Sequence, residues 1–175
     1  MRLFIAIGLA QAVKEEIIDL QNRLYDAGIR GNYSPEENLH LTLAFIGEVP
    51  NEESVLDALN TVQFLPFSLE LEGIGSFGDT WWVGVKDSAA LESVVRRLRR
   101  ALSEAGIPFD RKKFRAHITV LRKATPLPGS KNDFSKGSLK PEGMTVEAIS
   151  LFRSDRGRHG MIYTEIGRRE YTQEQ

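Results

Sequence analysis

Apolar residues recur along this chain with two distinct periods. Between Gln11 and Ala27, Val13, Ile17, Leu20 and Leu24 fall three and four positions apart, which places them on one face of an α-helix. Gly28 follows as a stop signal. Leu91, Val94, Val95, Leu98 and Leu102 repeat the pattern between Ser88, an N-cap residue, and Ala105, with Gly106 and Pro108 ending the helix. Arg96, Arg97, Arg99 and Arg100 fall on its other, solvated face. A shorter helix is predicted after Asn51, with Glu52 and Glu53 in its first turn and Val55, Leu56 and Leu59 buried. Leu3 to Gly8, Phe67 to Leu71, Trp81 to Val85, Met144 to Phe152 and Met161 to Ile166 read as strands. Ser154 to Gly160 is a polar turn in which His159 is expected to be solvated surface. Ala124 to Gly143, rich in Pro, Gly, Ser and Lys, reads as a weakly structured excursion, a candidate flexible flap.

A second pattern overlies the first. His40-Leu41-Thr42-Leu43 and His117-Ile118-Thr119-Val120 both read His, aliphatic, Thr, aliphatic, and they use two of the chain's three histidines. On a strand, residues two apart share a face, so each tetrapeptide presents an imidazole and a hydroxyl on one side and two aliphatic groups on the other. The motifs belong to a longer repeat. Phe4-Ile5-Ala6-Ile7 recurs as Trp82-Val83-Gly84-Val85, and Ala27-Gly28-Ile29 as Ala105-Gly106-Ile107, at one common offset. Each half, roughly 1–50 and 80–125, reads strand, helix, Ala-Gly-Ile, loop, motif strand. Two copies are too few for a solenoid and suit a duplication in which equivalent strands face each other across a pseudo-two-fold axis. One bilobal domain over 1–175 is expected.

Composition narrows the picture without naming a function. Hydrophobic residues make up 41% of 175, enough for a core, and the net charge of −1 excludes a global field attracting polyanions. Local basic clusters occur at Arg96 to Arg100, at Arg111 to Lys113 with Arg115, and at Arg122-Lys123. Cysteine is absent, which rules out a disulfide framework or a thiolate metal site and fits a cytoplasmic location. No apolar run is long enough to span a membrane, so no membrane partner is expected.

Two imidazoles and two hydroxyls brought together would suit acid–base chemistry on a phosphate ester, with imidazole as base and acid and hydroxyls donating to phosphate oxygens. A guanidinium could add charge stabilisation. The scheme needs no metal, and two histidines without carboxylates would make a thin metal site. A lone histidine in a strand is usually structural; the paired, repeated motif carries the functional reading. Leu41, Leu43, Ile118 and Val120 are core by alternation. Phe45 is out of step with His40, which makes it core unless it stacks on a base. Arg122 is out of step with His117, so a bulge or strand end must turn it into the site. Tyr33 and Phe114 could stack or pack.

The motifs and their surroundings resemble the two-histidine (2H) phosphoesterases. The stretches Met1 to Ala6, Pro35 to Val49 and His117 to Arg122 are similar to the bacterial and archaeal RNA 2′,3′-cyclic phosphodiesterases, also called 2′-5′ RNA ligases, and the likeness runs through Leu151-Phe152-Arg153-Ser154 to the Tyr163 strand. The resemblance implies an α+β fold with two antiparallel sheets lining a central cleft and helices outside. It implies hydrolysis of 2′,3′-cyclic phosphate to 2′-phosphate by a monomer acting on RNA or oligonucleotide ends, without cofactor. His40 would be the acid for O3′, His117 the base for water, Thr42 and Thr119 donors to phosphate, and Arg122 the family's arginine. Tyr33 stands where many relatives carry Trp. Ligation would use the same residues in reverse. The alternative from another class is a nucleotide- or RNA-binding module of the same fold without turnover.

Overall fold

The structure, a computed structural model, describes residues 1–130 and 139–171. β1 (Arg2–Gly8) leads through α1 (Gln11–Asp26), β2 (Ile29–Tyr33) and a 3₁₀ turn (Glu36–Asn38) to β3 (His40–Glu48). α2 (Glu53–Asn60) precedes the hairpin of β4 (Phe67–Phe77) and β5 (Thr80–Val85), and α3 (Ala89–Glu104) leads to β6 (His117–Pro126). β7 (Gly143–Val146), β8 (Ala148–Gly157) and β9 (Gly160–Glu170) follow. The architecture is α+β. Two antiparallel sheets, ordered β3-β1-β8-β9 and β2-β6-β5-β4-β7, meet where the two motif strands β3 and β6 come into contact.

Local chemistry explains the helices. Ser88 Oγ accepts the Leu91 N–H at 3.2 Å and Asn51 Oδ1 accepts the Glu53 N–H at 3.1 Å, capping α3 and the approach to α2. Both long helices bury their predicted stripes. α1 packs on β2, β6 and β7, and α3 on β3, β4 and α2. Leu41, Leu43, Ile118 and Val120 are buried behind the motifs, each worth roughly 1.5–3 kcal/mol of transfer free energy.

The structure revises four readings of the chain. Ile29–Tyr33 is a strand at the edge of the second sheet. Met144 to Phe152 is not one strand: β7 pairs with β4 and β8 with β1, so the chain changes sheets at Glu147. The expected excursion opens as strand, since β6 runs to Pro126, and Leu139 is buried; the flap reading for 131–138 lies outside the described residues. The repeat is also slipped. Sequence aligns Gly84 with Ala6, whereas the strand register pairs Gly84 with His117 and Gly8 with His40. A slip of two residues preserves the face each side chain points to.

Candidate active site

Both motif strands carry the same irregularity at the fourth motif residue. On β3, Ala6 pairs with Thr42 but Ile5 with Ala44, so Leu43 is the extra residue of a bulge. On β6, Trp82 pairs with Thr119 but Trp81 with Leu121, leaving Val120 extra. A bulge resets the in–out alternation. Two consecutive residues are therefore buried on each strand, Leu43-Ala44 and Val120-Leu121, and the next residue turns back to the cleft. Those next residues are Phe45 and Arg122. Phe45 is accordingly not core, contrary to the alternation argument: it is 53% exposed and lines the cleft.

The cleft measures about 760 Å³ and is lined by His40, Thr42, Phe45, His117, Thr119, Arg122 and Tyr33, so all the residues expected at the site border one space. His159, read as a solvated turn residue, also lines it, as do Arg2, Asn38 and Tyr163. Among the described residues no Asp or Glu lines it. Among the described residues no three His, Cys, Asp or Glu side chains converge as a metal site.

The histidines are held by one device used twice. Nδ1 of His40 lies 2.6 Å from the Asn38 carbonyl oxygen, and Nδ1 of His117 lies 2.6 Å from that of Arg115. A carbonyl can only accept, so Nδ1 carries the proton in both rings and Nε2 is left as the chemically available nitrogen. At His40, Nε2 accepts the Thr42 hydroxyl at 2.8 Å. Burial pulls the His40 imidazole down to about 4; the Asn38 carbonyl opposes this, and the positive charges of Arg122 and His117 reinforce it. His40 is thus neutral at pH 7.

Aromatic rings, none of them expected from sequence, flank each imidazole. Phe4 lies 4.8 Å from His40 and Tyr163 meets it edge-on at 5.2 Å. Phe77 meets His117 edge-on at 5.2 Å, with Trp82 at 6.1 Å. The signal is present in the repeat, which aligns Phe4 with Trp82. Tyr33 gives its hydroxyl to the Ile29 carbonyl at 2.8 Å, leaving only its ring for the cleft, and burial raises its pKa. Phe114 packs against the core. The arginine face of α3 is not uniformly solvated either: Arg99 donates to the Lys112 carbonyl at 2.7 Å, close to the segment that enters β6.

A model of the 2′-5′ RNA ligase superfamily matches residues 9–158. The RNA 2′,3′-cyclic phosphodiesterase of Archaeoglobus fulgidus is 32% identical, with 95% of this chain and 98% of that protein covered. Among solved structures, LigT of E. coli complexed with 3′-AMP superposes with a TM-score of 0.80 at 29% identity over 98% of each chain. TT0787 of Thermus thermophilus does so with a TM-score of 0.79 at 29% identity over 97% of each chain. With the match spanning both His-x-Thr motifs and most of the chain, this protein belongs to the 2′-5′ RNA ligase superfamily.

Proposed function

We propose that the chain hydrolyses 2′,3′-cyclic phosphate at RNA or oligonucleotide ends to a 2′-phosphate, by acid–base catalysis between His40 and His117 and without a metal. The observation that carries this reading is the cleft itself. It holds two imidazoles with Nδ1 tied to main chain, two threonines and Arg122, with no carboxylate beside them among the described residues. The names of relatives such as the A. fulgidus phosphodiesterase support the substrate class.

In the reaction a water oxygen forms a bond to phosphorus while the P–O3′ bond breaks. One imidazole takes the water proton and the other gives a proton to O3′. The family resemblance casts His40 as acid. Burial holds His40 neutral in the free site, so we assign its Nε2 as the base, which leaves the acid role to His117. Thr42 then exchanges its bond to Nε2 for one to a phosphate oxygen, joined by Thr119 and the Arg122 guanidinium. Phe45 and the Tyr33 ring would offer stacking surface to a base. A single monomer suffices as the active unit, since one chain supplies both motifs. Ligation would be the same displacement with a 5′-hydroxyl in place of water: the O5′–P bond forms, the P–O3′ bond breaks, and a 2′-5′ linkage results.

The test is incubation of an oligonucleotide ending in 2′,3′-cyclic phosphate with the protein and EDTA, with the product phosphate assigned by phosphorus NMR. Turnover to 2′-phosphate is expected, and His40→Ala and His117→Ala should each lower kcat by about 10²–10⁴. The acid limb of kcat/KM belongs to the pair and should lie well below 6.5; a limb above that value overturns the assignment of His40 as base. Tight binding with no turnover would favour the binding module instead.

A further inference from the structure

The β8–β9 ribbon outruns the sheet that carries it. β1 pairs with β8 as far as Ser154, whereas β8 and β9 stay paired out to Gly157 and Gly160. Arg158 and His159 close the free end, and Gly160 has φ +125°, a conformation that other residues rarely adopt. The end of the ribbon is exposed, but one side of it borders the cleft. Asn38 Nδ2 donates to the Met161 carbonyl at 2.9 Å, and His159, Gly160 and Met161 line the cleft. Asn38 is also the residue whose main-chain carbonyl accepts the Nδ1 proton of His40. One residue therefore grips the hairpin with its side chain and the imidazole with its backbone.

Charge indicates what the hairpin is held there to meet. A 2′,3′-cyclic phosphate carries a single negative charge, and Arg122 with the motif histidines already faces it. The His159 imidazole, a hydrogen-bond donor, and the Arg2 guanidinium line the same cleft, in which no carboxylate stands among the described residues. A lone terminal nucleotide leaves them without an anionic partner, whereas an internucleotide phosphate one step upstream supplies one. We propose that Asn38 is a positioning residue and His159 a specificity-determining one: the Asn38 side chain fastens the β8–β9 hairpin beside His40, and the fastened hairpin holds His159 against the phosphate that precedes the cyclic one. The substrate class narrows to ends bearing at least one internucleotide phosphate, in preference to 2′,3′-cyclic mononucleotides. This rests on the cyclic-phosphate reading given above.

The experiment is steady-state kinetics of wild type, Asn38→Ala, His159→Ala and the double variant on two substrates, adenosine 2′,3′-cyclic phosphate and an adenosine dinucleotide ending in 2′,3′-cyclic phosphate. His159→Ala should raise KM for the dinucleotide by about ten-fold, the scale of one charge-assisted hydrogen bond, and leave the mononucleotide's KM and both kcat values unchanged. Asn38→Ala keeps the main-chain carbonyl and loosens the hairpin, so it should raise KM for the dinucleotide by a similar factor and by clearly more than for the mononucleotide. The double variant should be no worse than the poorer single variant, because the pin acts through His159. Equal effects of His159→Ala on both substrates, no effect on either, or additive losses in the double variant would overturn the proposal. So would an Asn38→Ala protein whose kcat falls and whose pH profile moves on both substrates. His159 lies in an exposed turn, so its variant remains decisive if Asn38→Ala does not fold. A wild type that turns over neither substrate fails the functional reading, and calorimetric binding of the dinucleotide to wild type and His159→Ala then decides this one.

Discussion

At the scale of single residues, His40 shows what a motif conceals. Sequence places an imidazole and a hydroxyl on one strand face, because side-chain alternation is local. The proton on Nδ1 and the neutrality of the ring depend on the Asn38 carbonyl, on burial and on Arg122, whose approach comes from a distant strand. The consequence is measurable as stability. The folded-state pKa of about 4 lies below the unfolded value of 6.5, so between those values the unfolded chain binds a proton that the folded chain refuses. Stability therefore rises with pH across this window and is lost as pH falls from 6.5 towards 4. The full contribution amounts to about 3 kcal/mol. His40→Gln keeps a polar group and removes the titration. Urea unfolding of both proteins at pH 7 and pH 4.5 should show the variant losing less stability on acidification; parallel losses would mean that His40 titrates alike in both states.

At the scale of elements, legibility divides by what sets each feature. The helices are readable because the 3.6-residue period and the Ser88 cap are encoded within each segment. The bulges at Leu43 and Val120 are not, because a bulge arises from pairing with another strand and leaves no mark in the pattern of its own. That is why alternation alone makes Phe45 core; for Arg122 the sequence requires a bulge or strand end without placing it, and the bulge at Val120 supplies it. Met144 to Phe152 reads as one strand for a related reason, since β-formers run on while the partner changes from β4 to β1. Gly84 tests the same point. The sequence repeat aligns it with buried Ala6, which makes Gly84→Ala look harmless. The register pairs it with His117, and a Cβ there would collide with the Glu72 carbonyl, a main-chain atom that cannot rotate away. Gly84→Ala should cost about 1–3 kcal/mol by overpacking and should reduce turnover by displacing His117. A variant with wild-type urea midpoint and wild-type kcat would show that β4 yields freely.

At the scale of the whole molecule, the net charge of −1 gives no hint of an anion site, because composition averages over the whole surface. Among the described residues no carboxylate lines the cleft, which keeps Arg2, Arg122 and three histidines, and only the fold brings those five together. This arrangement predicts a salt dependence that the basic helix α3 cannot mimic. Arg97, on that helix, is exposed and donates to the Gln63 carbonyl at 2.8 Å, on the outside of the molecule. For an oligonucleotide with a 2′,3′-cyclic end, kcat/KM should fall with ionic strength on a log–log plot by about 0.7 per phosphate contacted, the scale for single strands. Arg122→Ala removes one such contact and should flatten the slope by about that amount besides lowering the rate. Arg122→Lys restores a point charge without the bidentate fork, so it should recover the slope but only part of the rate. Arg97→Ala should change neither. If Arg97→Ala flattens the slope while Arg122→Ala leaves it intact, the anion enters along the α3 arginines and the cleft is not where the phosphate is held.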